Sequence, residues 1–398
     1  MTNNQKYFSF LLFIPLIATA LYSCDVTKSY VKKQNVANDL YRKISTNDTT
    51  SLATLPWREI FQDSLLQQLI AEGIENNLDL KTAVANLQPS LAANASAGAY
   101  HPSDKQANNS QVYQLYALSS WQIDVFGKLR STKRSMYATY LASEAYRQNV
   151  QTHLVANIAA AYYQLLAYDE QLNIVQQSLI RYASDTATMR ALKNSDVVTG
   201  AAVVQSTANY YAVLSTVPDI KNNIRQVENS LSLLLGKVPG PIERDSLFKE
   251  RVYERLETGL PVQLLANRPD VKEAEHQLRS SFELVNVART AFYPTLTITS
   301  EAGLYSTQLQ SFFNTGAIFA NIIGGLAQPI FNNGLNKQRL KVAQTNYEIA
   351  EYNYNRALLT AGQEVSNALY QYQMVEEKAA SRKAQIANLE KAVHFTKE

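Results

Sequence analysis

Cysteine is almost absent from this 398-residue chain: Cys24 stands alone, so no disulfide can form within it. Histidine is nearly as scarce. His101, His153, His276 and His394 are scattered, with no pair at the spacing that helical metal sites use, and no metal site is expected. An excess of one charge is missing too. The 37 Lys and Arg against 34 Asp and Glu leave a formal net charge of +3, too little for a strong pull toward nucleic acid. Glycine (13) and proline (11) are modest, while tyrosine is abundant (24). Ala, Gln, Asn, Leu and Tyr dominate the long segments, which suits long helices with polar faces better than a compact enzyme core. No nucleophile, general base or phosphate cradle emerges, so neither a catalytic residue nor a cofactor site is expected. Gly324-Gly325 and Asn333-Gly334 read as turns. Downstream of Cys24 no run of about 18 apolar residues exists, so the mature chain has no expected transmembrane helix. If it crosses a membrane, it must do so as a closed barrel.

The first segment that is present is a targeting signal. Lys6 opens a weakly positive region, residues 8–20 are apolar, and Leu21-Tyr22-Ser23-Cys24 resembles the box at which a lipoprotein precursor is cut and acylated. Residues 1–23 are read as signal peptide, Cys24 as the lipidated N-terminus and 24–56 as a polar, lipid-anchored arm; Tyr22 is bulkier than such boxes usually carry.

Helical periodicity is the strongest signal in the chain. Within residues 131–189, Ile158, Ala161, Leu165, Tyr168, Leu172, Val175, Leu179 and Tyr182 follow a 3-4 spacing, the seam of a coiled coil. The seam returns 207 residues later as Val365, Ala368, Tyr372, Val375, Ala379, Arg382, Ile386 and Leu389, broken only by Arg382. A seam repeated at a fixed offset points to a duplicated chain. The rest of the order fits. A helix at 60–87 breaks at Asn76-Asn77, with Asp79 expected to cap the helix after the break, and Pro89 ends it. A hairpin at 90–125 comes next. One face of its second strand reads Tyr113, Leu115, Ala117, Ser119, Trp121, Ile123, Val125; the other reads Gln114, Tyr116, Leu118, Ser120, Gln122, Asp124. A helical hairpin at 131–235 turns near 193–200, kinks at Pro218 and stops at Gly236.

The second half repeats this order. After a short helix or turn at 261–267, Arg268-Pro269-Asp270 opens a helix to about residue 292. A hairpin at 295–330 and a long helix from about Leu335 complete it. Pro89-Ser90-Leu91 aligns with Pro294-Thr295-Leu296, and Ile123-Asp124-Val125-Phe126 with Gln328-Pro329-Ile330-Phe331. The repeats are placed at 57–248 and 249–398, the second incomplete.

Several motifs carry a family resemblance: Ser120-Trp121-Gln122-Ile123-Asp124-Val125-Phe126-Gly127, Leu233-Leu234-Leu235-Gly236, Asn267-Arg268-Pro269-Asp270-Val271, Ala291-Phe292-Tyr293-Pro294, Pro329-Ile330-Phe331-Asn332-Asn333-Gly334 and Gln363-Glu364-Val365. With them the chain resembles the TolC/OprM-type outer-membrane efflux proteins, in particular the lipoprotein members. The resemblance implies an α+β membrane protein built from a duplicated helix, β-hairpin and long helical hairpin. It also implies a homotrimer in which each chain gives four strands to a twelve-stranded barrel above a periplasmic α-helical tunnel. The implied function is a passive outer-membrane conduit for small molecules such as drugs, fed by an inner-membrane transporter through a periplasmic adaptor protein, with no nucleic-acid partner. The competing functions are a protein-secretion conduit of the same fold and a non-channel coiled-coil scaffold lipoprotein. The alternating strands, with Trp121 and Phe331 at their ends, argue against the scaffold.

Two departures from the family pattern shape the expectations. Asp270 to Pro294 spans 24 steps and Asp79 to Pro89 only 10, so the first rising helix is 14 residues, about 21 Å, short of the second. On the family pattern, Glu398 falls before the second helical tip and its returning helix, and a chain of this extent alone is not expected to form an open channel. With that tip missing, Asp196 in the first turn is the remaining gate candidate, against a plain role in capping the next helix. Asp124 is the pore candidate, against a plain role as a wet lumen or rim carboxylate. Glu364 and Arg289 are read as structural residues, each a helix cap or a hydrogen bond between helices, rather than catalytic ones.

Overall fold

The computed structural model describes residues 26–31, 55–87, 113–250 and 267–395. The signal peptide, Cys24, most of the 24–56 arm, the strand expected at 90–100 with its loop, and all but the last residue of the short segment expected at 261–267 lie outside the described residues. In chain order the main elements are α1 (Ser64–Asn76), α2 (Leu78–Ala85), β1 (Tyr113–Ile123), α3 (Lys128–Asn194), α4 (Gly200–Leu214), α5 (Thr216–Leu234), α6 (Pro269–Thr290), β2 (Thr295–Ser306), β3 (Ile318–Ala327) and α7 (Leu335–Phe395). They fall into two compact units that do not follow the halves of the sequence. One takes Met1–Asn35, Pro89–Ala142 and Glu273–Leu359; the other takes Val36–Gln88, Ser143–Lys272 and Thr360–Glu398.

The second unit is helical. Its core joins Leu66 and Ile70 of α1, Ile158, Tyr162 and Leu165 of α3, and Leu231 of α5, all without exposed surface. Each such aliphatic side chain contributes about 1.5–3 kcal/mol by leaving water. Asp63 starts α1 by accepting the Leu65 N–H at 2.7 Å. The break falls at Asn77, as the sequence suggests, but the cap is Asn77 itself and not Asp79. Its side chain accepts the Leu80 N–H at 2.9 Å and donates to the Leu234 carbonyl at 3.0 Å, so one buried amide both caps α2 and ties it to α5. Asp79 sits exposed in the first turn. Gly236 ends the α5 segment with φ +68°. The Gly236 and Lys237 N–H groups return to the Leu233 and Ser232 carbonyls at 3.0 and 2.9 Å, a Schellman closure. The returning helix is interrupted at Ser215, three residues ahead of Pro218, where the proline ring meets the preceding turn. The described helix Leu78–Ala85 has 8 residues against 22 for Pro269–Thr290, a difference of 14.

The first unit carries the antiparallel sheet, ordered β1-β2-β3. Tyr113 pairs with Ser306 and Ile123 with Leu296; Thr295 pairs with Ala327 and Leu304 with Ile318. Gly303 lies against the Leu115 carbonyl and the Tyr116 Cα so closely that no Cβ would fit there. Both expected hairpin limits shorten. β1 stops at Ile123, where the Val125 N–H turns back to the Ile123 carbonyl at 3.1 Å, so Asp124 and Val125 lie beyond the strand. β3 stops at Ala327 rather than 330, just before Pro329, which has no N–H for a ladder. Gly324 and Gly325 lie inside β3 and are not a turn; the turn is at Asn333 and Gly334, with φ +53° and +79°.

Candidate functional site

The pleat and the register together sort the sheet into two faces. One collects Leu115, Trp121 and Ile123 from β1, Leu296, Ile298 and Leu304 from β2, and Ile318, Ile322 and Leu326 from β3. The other collects Gln114, Ser120 and Gln122, then Thr297, Thr299 and Glu301, then Asn321. Gln114 donates to Glu301 across this face at 3.4 Å. Leu118, Phe319, Ile323 and Ala327 are the apolar exceptions on the polar side, which also carries Tyr116 and Tyr305, and Ser119, Ser300 and Ser306 are the polar exceptions on the apolar side. Among the described residues β1 and β3 each pair along one side only.

Asp124 lies at the step from strand to helix. Its carboxylate accepts the Leu129 and Arg130 N–H groups at 3.0 and 2.9 Å and faces the Arg130 guanidinium at 3.4 Å. Burial works against its charge, but these donors hold its pKa below the ordinary value. The structure thus places Asp124 at the start of α3, where a negative group suits the helix dipole. Asp196 is exposed at the far end of α3, with φ +58°. Its N–H and that of Val197 close the helix onto Lys193 and Leu192, both at 3.0 Å. The residue therefore terminates α3 and does not cap α4, whose cap position is Thr199.

A cluster that the motifs did not announce holds the arm. Asn286, fully buried on α6, clasps the main chain of Lys28 from both sides. The Lys28 N–H donates to Oδ1 at 3.1 Å, and Nδ2 donates to the Lys28 carbonyl at 2.9 Å. Arg289 steadies that amide at 3.1 Å from the same helix, rather than as a helix cap or a bond between helices. Next to it, Glu283 is buried and takes a forked pair from Arg134 at 2.7 and 3.0 Å. Tyr30 sets its ring on Phe282, which meets Tyr347. Burial, then the charge of Glu275, pushes the Tyr30 hydroxyl up to about 12.

The helical unit has two arginine clasps of its own. Arg244 bonds Asp169 at 2.5 and 2.9 Å and Glu228 at 2.6 Å. Arg268 bonds Asp270 at 2.7 Å and Glu364 at 2.6 Å, which gives Glu364 the helix-bridging role expected of it. Burial alone would raise the Asp270 carboxyl; the hydrogen bonds and charge of Arg268 keep it low. Among the described residues no group of three or more His, Cys, Asp or Glu is placed to hold a metal ion, and no helix is long and apolar enough to cross a membrane.

A strand set with one apolar and one polar face, joined directly to long helices, matches a known architecture. The family model described as outer membrane efflux protein covers residues 64–237 and 260–398. The chain belongs to this family. The probable outer membrane lipoprotein SilC of Salmonella typhimurium is 31% identical over 79% of this chain and 71% of its own length. The cation efflux system protein CusC of Escherichia coli K12 is 28% identical over 94% of this chain and 86% of its own. A crystal structure of CusC, described by its transmembrane channel formation, superposes with a TM-score of 0.78 at 25% identity, over 92% of this chain and 87% of that one. As a member of this family, the chain is an outer-membrane efflux component. Asn286, Glu283, Arg134 and Arg244 were not legible as a site. Asn286 lies shortly before the Ala291-Phe292-Tyr293-Pro294 motif, but its partner is 258 positions away in sequence.

Proposed function

We propose that the chain is the outer-membrane conduit of a tripartite efflux system, and that three copies close one twelve-stranded barrel. The observation that carries this reading is the split of the sheet into an apolar and a polar face. An apolar face suits lipid, and a polar face suits a wet lumen. Among the described residues β1 and β3 each have an unpaired edge, and a sheet in lipid must satisfy every backbone group. A groove of about 330 Å³ on the sheet-bearing unit, lined by Leu284, Leu335 and Val342, offers apolar surface to a second copy. Asp124 then fixes the turn from barrel to tunnel, and Asp196 lies at the helical tip offered to the periplasmic adaptor. Cys24 carries the lipid. It lies four residues before the clasped Lys28, so at most about 14 Å of chain separates anchor from clasp. The cargo is small molecules delivered by an inner-membrane transporter; this chain supplies passage, and the transporter supplies energy and choice of substrate.

Ile322 and Asn321 are adjacent on β3 and point to opposite faces. Ile322→Arg is expected to cost about 2–4 kcal/mol of assembly and to deplete heat-resistant trimers in membranes. Asn321→Arg is expected to assemble and to keep heat-resistant trimers at the level of the unchanged chain. Normal assembly of Ile322→Arg beside failure of Asn321→Arg would reverse the facing and remove the basis of the barrel reading.

A further inference from the structure

We propose that Glu250 and Asp63 form a proton-operated latch, which holds the segment after α5 onto the start of α1 while Glu250 is protonated and releases it on deprotonation. The inference does not depend on the conduit reading. Asp63 is the cap of α1, and the Tyr162 hydroxyl donates to its second oxygen. The same hydroxyl accepts the Asp245 N–H at 3.4 Å, so Tyr162 joins the segment to the cap. Glu250 comes directly after the single turn Leu247–Lys249 and lines one cleft with Asp63, Asp245 and Lys249.

Two carboxyl groups lining one partly buried cleft favour a proton on one of them, because two neighbouring anions repel. Asp63 is the poorer proton holder. Burial raises it, but Tyr162, Glu250 and the N–H groups of Leu65 and Leu66 outweigh burial and keep its pKa low. Glu250 has no such donors from a helix start. Burial, then the hydrogen bond to Asp63 and the Asp63 charge, pushes it up to about 7. The other charged groups facing it do not neutralise the pair. Tyr163 is itself raised to about 12, Asp245 adds negative charge, and Lys249 turns to Asp245 at 2.8 Å. The cleft these residues share with Gln62 and Ser64 is open, so the proton exchanges with solvent.

The sign is set by the raised value. The Glu250 contribution to attachment is full below the ordinary glutamate range, weakens as pH rises, and is lost once pH passes about 7, while Arg244 keeps its hold on Asp169 and Glu228. The test is hydrogen–deuterium exchange on the full chain in detergent at pH 5.5 and 8.0, corrected for intrinsic exchange, with the amides of α5 as internal reference. Protection of amides 247–250, the turn that Glu250 closes, is expected to fall on the order of tenfold between the two. Glu250→Gln, which keeps a donor toward Asp63, is expected to hold the acid value at both. Asp63→Asn keeps the helix cap and removes the neighbouring charge, so its step is expected to move toward lower pH. A wild-type chain without the step, or a step unchanged in either variant, would overturn the latch.

Discussion

Two helices carry the same 3-4 seam, 207 residues apart, and the structure treats them differently. On α3, Ile158 and Leu165 have no exposed surface; on α7, Val375, Ile386 and Leu389 are each more than half exposed. The difference is written beside the seam rather than in it. Around Leu165 the flanking residues Leu154, Val155, Tyr162 and Leu166 widen the apolar stripe, and α1 and α5 cover it. Around Val375 the flanks are Glu376, Glu377, Lys378 and Lys383, which leave only a narrow line. A wide stripe belongs to a globular core and a narrow one to a coiled-coil seam, so spacing names the face while the flanks set how much is buried.

The largest effects are therefore expected at the covered seam. Leu165→Ala and Ile158→Ala should each cost about 2–5 kcal/mol, as buried aliphatic groups removed from a packed core do. Denaturant unfolding in detergent, followed by helical circular dichroism, measures it. A loss under about 1 kcal/mol would mean that the α1–α3–α5 core is loose enough to collapse into the space, and the contrast with α7 would break.

A middle-sized effect tests what does the covering. The end of α5 meets α1 at Gly236, where a Cβ would stand 2.7 Å from the Asn76 carbonyl oxygen and the backbone has φ +68°. Gly236→Ala should cost about 1–3 kcal/mol, from the left-handed backbone and the forced shift of the α1 end. Both contributions act at one place, so the same unfolding experiment should show normal helix content and a lower midpoint. A neutral result would mean that α5 covers the α3 seam without this contact.

Much of this fold was legible because much of it is local. The two seams, the alternation along β1, the break at Asn76-Asn77 and the stop at Gly236 are each set within a few residues. What stayed hidden depends on partners far away in sequence or on where an element ends. Asp124 reads as one more residue on the polar face of a strand, and only the early end of β1 makes it a helix-capping group. Asn77 and Asp79 are both good caps by type, and the donation from Asn77 to Leu234 decides between them. Asn286 looks like any amide on a charged helix until Lys28 arrives. Glu250 and Asp63 are 187 positions apart, and each alone reads as a solvated acid.

The smallest expected effect is the most direct test of the contrast between the seams. Leu389 lies on the α7 seam with 59% of its surface exposed. Truncating it to Ala removes little area from contact with protein and leaves no cavity, so Leu389→Ala should change stability by no more than about 0.5 kcal/mol in the same unfolding experiment. Its neighbours on the stripe, Ile386 and Val393, are comparably exposed, so no local packing compensates for or amplifies the change. The side chain is as apolar as Leu165, the helix is as long-ranged and the seam spacing is the same; only the cover differs. A loss of about 2 kcal/mol or more from Leu389→Ala would show that another surface sits on this stripe in solution, and the two seams would then be equivalent after all.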